Sequence, residues 1–394
     1  MNKKILAKEV YAFIQKNLDA DVAKINLAKS PFNGVSSAEL AVQITSKKKT
    51  QKKLPTWFKT AEIYYPAPLS IEQTSSEVTA KYKSELAKGN LLIDITGGFG
   101  VDAYYFAQKV KRVIHCEIND GLSAIAKHNS QVLETKNIQF LPIDGLEYLK
   151  WASQEFGTIY IDPARRAEAG KVFMLKDCTP DVTSNLDMLL SKAERIIIKT
   201  APLLDLKAGL SELKHVSEIH IVSLKNECKE ILWVIDKGFE GTTKITAKTL
   251  NDGEKSFVFS ETDRNAKVDF ATSISTSDYL YEPDVALLKT GAFNLIGERY
   301  DLKKLHPQTQ LYTSNLLKKE FAGRIFKIDK IISTGELKKS ATLAGNIIVR
   351  NYPAKPDDLA KKYKIKPDKN QFFIFTKDIK NDNIVLKATI IQYY

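Results

Sequence analysis

Seven short apolar runs, rich in Ile, Val and Leu, recur between residues 91 and 236. Those at 91 to 95, 112 to 117, 137 to 141, 157 to 162 and 194 to 199 predict buried strands, and the segments between them are long enough for helices. That alternation is the pattern of a parallel sheet covered on both faces. The last two runs, 217 to 224 and 231 to 236, flank only the polar turn Lys225-Asn226-Glu227. No crossover helix fits there, so these strands must pair antiparallel, or nearly so. Upstream, Val10, Phe13, Ile14 and Leu18 recur at helical spacing, a basic loop follows, and Pro66 and Pro68 close the segment. From Ile71 a helix carrying Glu77, Val78, Tyr82 and Leu86 leads into the first strand. After Gly238 the alternation stops. Extended segments at Lys244 to Thr249, Ser256 to Ser260 and Tyr279 to Leu288 give way to mixed pieces reaching about Phe326. A last unit begins at Ile328 and reads strand, helix, strand: Gly345 to Arg350 is apolar and β-branched, Pro356 to Tyr363 is helical, and Phe372 to Thr376 and Ile384 to Ile391 are strands. The expected division is a helical region 1–70, an α/β domain 71–240, a linker or ferredoxin-like part 241–326 and an α+β unit 327–394.

Three of the strand ends carry chemistry. The first run closes on Asp94-Ile95-Thr96-Gly97-Gly98-Phe99-Gly100-Val101-Asp102, the second on Cys116-Glu117, the fourth on Asp162-Pro163-Ala164-Arg165-Arg166. Glycines after a buried strand let the backbone turn tightly and approach a ligand. Glu117, 17 residues beyond Gly100, is near the spacing at which an acid accepts hydrogen bonds from ribose hydroxyls. The third glycine of the dinucleotide fingerprint is missing, and Asp94 stands where it would repel a pyrophosphate. A carboxylate there suits a cationic amino acid group instead. The terminal hairpin also argues against an NAD-binding domain, which would need a crossover helix.

On these residues the segment 69 to 240 resembles a class I S-adenosylmethionine-dependent methyltransferase. More narrowly, Leu69 to Glu77, Thr96 to Asp102, Asp162 to Arg166, Asn226 to Glu230 and Tyr281 to Asp284 are similar to bacterial methyltransferases with a THUMP-like C-terminal domain. The resemblance implies a Rossmann-like α/β fold, with a seven-stranded sheet and reversed last strand, joined to ferredoxin-like and THUMP-like α+β units. It implies S-adenosylmethionine as cofactor, held by Gln73, Ser75, Asp94, Thr96, Gly97, Gly98, Gly100, Asp102, the ribose acid Glu117, Ile118, the adenine-side acid Asp144, Gly145 and Asp162. A plain helix N-cap at Thr74 or Ser75, with Glu77 in the first turn, accounts for the letters of that first stretch equally well.

Charge adds a partner. The formal net charge is +12, distributed as +8 over residues 1 to 60, −4 over 61 to 240 and +8 over 241 to 394. Basic flanks around a mildly acidic core suit a protein that grips a polyanion while its pocket holds a cation. The densest patch, Lys47-Lys48-Lys49-Thr50-Gln51-Lys52-Lys53 before Trp57-Phe58, predicts phosphate contacts through residues such as Lys48 and Lys52, with stacking beside them; a solvated loop is the plainer account. No run approaches 18 apolar residues and the start lacks a hydrophobic signal core, so a soluble cytoplasmic protein is expected. Cys116, Cys178 and Cys228 have no CxxC spacing, and the five histidines show no metal spacing; no metal site is expected.

Methyl transfer mainly requires alignment of the acceptor. Asp162, at the end of the fourth strand, is placed to accept a hydrogen bond from an amine or ring N–H, and Pro163 stiffens its loop. Ala164-Arg165-Arg166 stands where exocyclic-amine methyltransferases carry a second proline and an aromatic residue; an arginine plane can stack on a base or hold a phosphate. Lys199 either faces a substrate phosphate or caps a carboxylate. The Asp-Pro-Ala-Arg element also looks like that of RNA 5-methyluridine methyltransferases, which need a cysteine shortly after the fifth strand. Here Ile198-Lys199-Thr200-Ala201-Pro202 holds none. The expected activity is direct, non-covalent methylation of a base in structured RNA. DNA or protein methylation, or RNA binding without turnover, are the other readings.

Overall fold

The computed structural model describes residues 1–165, 174–251, 253–339 and 343–394, with the backbone alone at Arg165, Arg264 and Lys339. It divides into two compact units, Met1–Ser217 with Leu232–Glu240, and Glu218–Ile231 with Gly241–Tyr394.

In the first unit the apolar runs form β1 (Leu91–Asp94), β2 (Arg112–Cys116), β3 (Ile138–Leu141), β4 (Phe156–Ile161) and β5 (Ala193–Thr200). They pair in parallel in the order β3-β2-β1-β4-β5. Chain order reverses between β1 and β4, which opens a crevice at their carboxyl ends. Leu92, Val113, Tyr160 and Ile197 on neighbouring strands bury one face of the sheet against Ala103, Phe106 and Ala107 of the helix Val101–Ala107. The hairpin strands β6 (Val216–Leu224) and β7 (Glu227–Asp236) follow, and Leu232–Asp236 lies beside β5, where Arg195 donates to both Asp236 oxygens at 2.8 Å. Between β6 and β7, Lys225 and Asn226 have φ of 53° and 57°. Two consecutive left-handed residues make the tight turn whose twist matches an antiparallel ladder, so the reversed final strand follows from the turn.

The N-terminal helices do not stand apart from this unit. Ile14, Leu40, Ile44, Trp57 and Ile71 share one apolar cluster with Phe99, Val101 and Ile125. The basic segment expected as a loop belongs to a helix, Ser37–Lys53, started by a capping box between Ser36 and Glu39. Helical spacing turns Lys47 inward with Leu40 and Ile44, and its side chain is fully buried. The ammonium lies 5.1 to 5.3 Å from the ring centroids of Tyr11, Phe58 and Tyr65 and donates to the Phe58 carbonyl. Trp57 is 1% exposed and cannot serve as a stacking platform. Lys48 and Lys52 remain on the surface, Lys48 paired with Asp19 at 3.0 Å.

Burial pushes the Lys47 ammonium down to about 8 from the ordinary 10.5. Because the folded pKa lies below the unfolded one, the resulting penalty is full below pH 8 and is relieved as pH rises toward 10.5. A Lys47→Met variant should therefore gain on the parent most below pH 8, with a pH-dependent part of up to about 3 kcal/mol. Denaturant titrations of both proteins between pH 7 and 10.5 check this; a constant difference would refute it.

In the second unit, β8 (Lys244–Thr249) runs parallel to β6, and β9 (Lys255–Ser260) pairs antiparallel on its far side. A second sheet contains β10 (Tyr279–Pro283), β11 (Lys303–His306), β12 (Thr309–Ser314), β13 (Gly323–Ile332), β14 (Asn346–Val349), β15 (Gln371–Lys377) and β16 (Asn383–Gln392), in the order β11-β12-β10-β13-β16-β15-β14. The helix Pro356–Tyr363 packs Leu359 and Tyr363 into a cluster with Phe373 and Phe375 of this sheet. The division expected at residue 326 falls inside β13. Its outward Lys327, Asp329 and Lys330 interrupt the apolar run and hide the strand's first half.

Candidate active site

A cavity of about 830 Å³ opens at the carboxyl ends of β1, β2 and β4. Its floor is the loop from β1 to the helix Val101–Ala107. Gly98 and Gly100 adopt φ of 57° and 83°, which a residue with a side chain takes only under strain. Gly97 packs on the His115 ring so closely that a Cβ would lie 2.3 Å from Nε2. His115 is fully buried, and burial pushes its imidazole down to about 4, so a neutral ring supports the loop.

Four acids meet this loop, and the structure separates their roles. Asp94 is 1% exposed, and its Oδ1 accepts from the Thr96 amide at 3.0 Å and the Thr96 hydroxyl at 3.3 Å. Thr96 Oγ1 in turn accepts from the Asp162 amide at 2.7 Å, tying β1 to β4. Burial drives the Asp94 carboxyl well above its ordinary range, and the charges of Asp102 and Asp162 add to the rise. Neither Asp94 nor Gly100 is among the lining residues. Asp94 is buried at its strand end, and the contacts it makes are those that hold Thr96 and shape the loop. Asp102, by contrast, does line the cavity. Its Oδ2 accepts from Ser75 Oγ at 2.8 Å and Tyr160 at 3.0 Å, and Lys83, fully buried, places its ammonium 3.1 Å from Oδ1 and 2.7 Å from Ser75 Oγ.

Glu117 holds the wall opposite. Its two oxygens accept from the Gly98 and Asn119 amides, each at 2.8 Å, which fixes the carboxylate against the glycine loop. The next residue, Ile118, lines the cavity with 73% of its surface exposed, an apolar face lacking a cover. Asp144 caps the helix Gly145–Trp151 through the Leu146 and Glu147 amides. Gly145 lets that helix approach β1, since a Cβ would lie 2.3 Å from Ile95 Cβ. Gln73, at the end of the helix Pro68–Gln73, and Ser75 complete this side.

At the other end, Asp162 follows β4 and its Oδ2 lies 2.6 Å from the Lys199 ammonium at the end of β5. Lys199 thus caps a carboxylate. No hydrogen bond reaches Asp162 Oδ1 among the described residues. Pro163 is buried, and Ala164 and Arg165 pair antiparallel with Thr179 and Cys178. The Arg165 side chain and all of Arg166 lie outside the described residues. Lys48 and Lys52 do not line the cavity. Among residues the sequence did not single out, Thr179, Asp181 and Asn185 line it and Lys83 braces it. Only Lys83 had a visible signal: it follows Thr79 and Ala80 at helical spacing on a buried face. No group of three or more metal-ligating side chains exists among the described residues.

The chain is similar to known proteins along most of its length. Residues 279–321 fit a ferredoxin-like domain model and residues 323–389 a THUMP domain-like model. A solved structure of a candidate methyltransferase from Porphyromonas gingivalis W83 is 31% identical, covers 99% of both chains and superposes with a TM-score of 0.87. An uncharacterised S-adenosylmethionine-dependent methyltransferase from Mycobacterium tuberculosis is 21% identical over 315 residues, 78% of this chain and 83% of that one. The 23S rRNA (uracil(1939)-C(5))-methyltransferase RlmD of Psychromonas ingrahamii is 24% identical over 171 residues, 41% of this chain and 38% of that protein.

Proposed function

The chain belongs to the S-adenosylmethionine-dependent methyltransferases that carry a THUMP-like C-terminal domain, and from that premise we propose that it methylates a base of structured RNA by direct, non-covalent transfer. S-adenosylmethionine supplies a methyl group activated on a sulfonium. The cavity fits it: Gly97 and Gly98 offer backbone without side chains, Glu117 presents a fixed carboxylate to ribose hydroxyls, and Ile118 gives an apolar face to a purine. Asp144 stands on the adenine side, and Gln73, Ser75 and Asp102 face the amino acid end.

The observation that carries the reading is the Asp162–Lys199 pair at the cavity rim. Lys199 fixes one oxygen and leaves Oδ1 as acceptor for an N–H of the target, so the nitrogen lone pair is turned toward the methyl group. Asp162 would take up the surplus proton of the nitrogen that receives the methyl group. A covalent pyrimidine route would need a thiolate. Cys178 is fully buried, and burial pushes the Cys116 thiol up to about 12 and the Cys228 thiol to about 11. RNA as the acceptor is supported by the likeness to RlmD and by the basic flanks.

The test is transfer from S-adenosylmethionine labelled with tritium in its methyl group to separate pools of RNA, DNA and protein from cells lacking the gene. Label in a discrete RNA species is the expected result. Label confined to DNA or protein would overturn the acceptor, and cofactor binding without transfer to any pool would overturn turnover.

A further inference from the structure

The segment Tyr281-Glu282-Pro283-Asp284 is one the methyl-transfer cavity does not use. Glu282 is 3% exposed on β10, opposite Arg324 in the ladder with β13. Its Oε2 accepts from Arg324 Nε at 2.6 Å and also pairs with Nη2 of the same guanidinium. Its other oxygen, Oε1, lies 2.6 Å from Arg350 Nη2. Arg350 is anchored on its own side: its amide donates to the Phe375 carbonyl at 2.9 Å, and Nη1 to the Val349 carbonyl at 2.8 Å. Next to it Asn351 turns through a φ of 53° and sets its amide 3.2 Å from His306 Nδ1. Two guanidiniums on one carboxylate leave a charge of +1, and their side chains are 21% and 45% exposed. Arg324 Nη1 and Arg350 Nε have no protein partner among the described residues.

A buried glutamate is an expensive device if stability is the only end, since apolar packing serves at least as well. Here it anchors two partly exposed guanidiniums, each with one nitrogen that no described protein group occupies. We infer that Arg324 and Arg350 form a preorganised phosphate-binding pair that grips the RNA backbone outside the methyl-transfer cavity, an inference that rests on RNA being the substrate. Each guanidinium keeps one nitrogen without a protein partner among the described residues, so the two arginines together offer a phosphate two donors on anchored planes, where a lysine would offer a freely rotating ammonium. Free phosphate shares that chemistry; the +8 balance of residues 241 to 394 favours the polymer.

The experiment is fluorescence anisotropy of the full chain with unfractionated bacterial tRNA between 50 and 200 mM salt, alongside thermal melting. Arg350→Ala should weaken tRNA binding about tenfold and flatten the log–log salt slope by about 0.7 to 1. Arg350→Lys keeps the charge and the stem, so a parent-like melting temperature with weakened binding supports the fork. Parent-like tRNA binding in both variants, whatever the melting temperature, would reduce the cluster to a structural ion triad and overturn the inference. Competition by millimolar inorganic phosphate with the parent, without any effect of Arg350→Ala on tRNA, would assign the pair to free phosphate instead. Failure of the parent to bind tRNA at all would strike the RNA reading itself, a result separable from any behaviour of the variants.

Discussion

Asp162→Ala should slow methyl transfer about 10²- to 10⁴-fold, the range associated with losing a positioned proton acceptor, while affinity for the cofactor product S-adenosylhomocysteine stays within about threefold. The side chain can be removed without disturbing the loop, because the bond that ties β4 to β1 uses the Asp162 amide and Thr96 Oγ1. Asp162→Asn refines the result. Its carbonyl still accepts a hydrogen bond but takes up no proton, so a variant close to alanine points to proton uptake and one close to the parent points to orientation alone. Lys199→Met, which frees the carboxylate to rotate, should cost less than the alanine change. Single-turnover rates with saturating cofactor give these comparisons directly. If Asp162→Ala transfers methyl groups at the parental rate, the acceptor is held by other residues and the role assigned to this carboxylate is wrong.

Lys83→Ala is expected to destabilise the fold by about 3 to 5 kcal/mol, the usual cost of leaving one member of a buried ion pair alone. The lysine is fully buried, 3.1 Å from Asp102 and 2.7 Å from Ser75, and its ammonium lies 6.0 Å from the Tyr160 ring centroid. Removing it leaves Asp102 with two neutral donors at the edge of the cavity. The urea midpoint of the variant should fall accordingly, and adding Asp102→Asn should restore part of the loss because the orphaned charge disappears. A shift under 1 kcal/mol would mean that water reaches Asp102 freely enough to replace the lysine.

Much of the catalytic fold was legible because its signals are local. Apolar runs marked β1 to β7 to within a few residues, and the short polar turn at Lys225-Asn226 disclosed the reversed strand. The glycine loop and Glu117 could be placed at one edge since successive strand ends in a parallel sheet converge. What stayed hidden depends on which face a charged residue turns. Lys47 and Lys83 carry the letter of a surface residue, yet their helices rotate them into the interior. Asp94 carries the letter of a ligand-binding acid and is buried, hydrogen-bonded to Thr96 of the loop it organises. Such outcomes follow from neighbours distant in sequence, as Phe58 and Tyr65 are for Lys47.

The parallel pairing of β8 with β6 reaches beyond architecture. Six residues of each strand are in register, Lys244 with Glu218 through Thr249 with Ser223, and Ile219 and Ile221 between them are fully buried. Truncation after Gly238 would strip that partner away and leave a nine-residue edge strand with unpaired amides, the template on which strands of separate molecules join. Such a fragment would self-associate even with its cavity intact. A cut beyond Ser260 keeps β9 as the margin, where Ser256 and Val258 alternate outward beside buried Phe257 and Phe259. The margin at which this sheet can safely meet water therefore lies outside the segment that carries the chemistry.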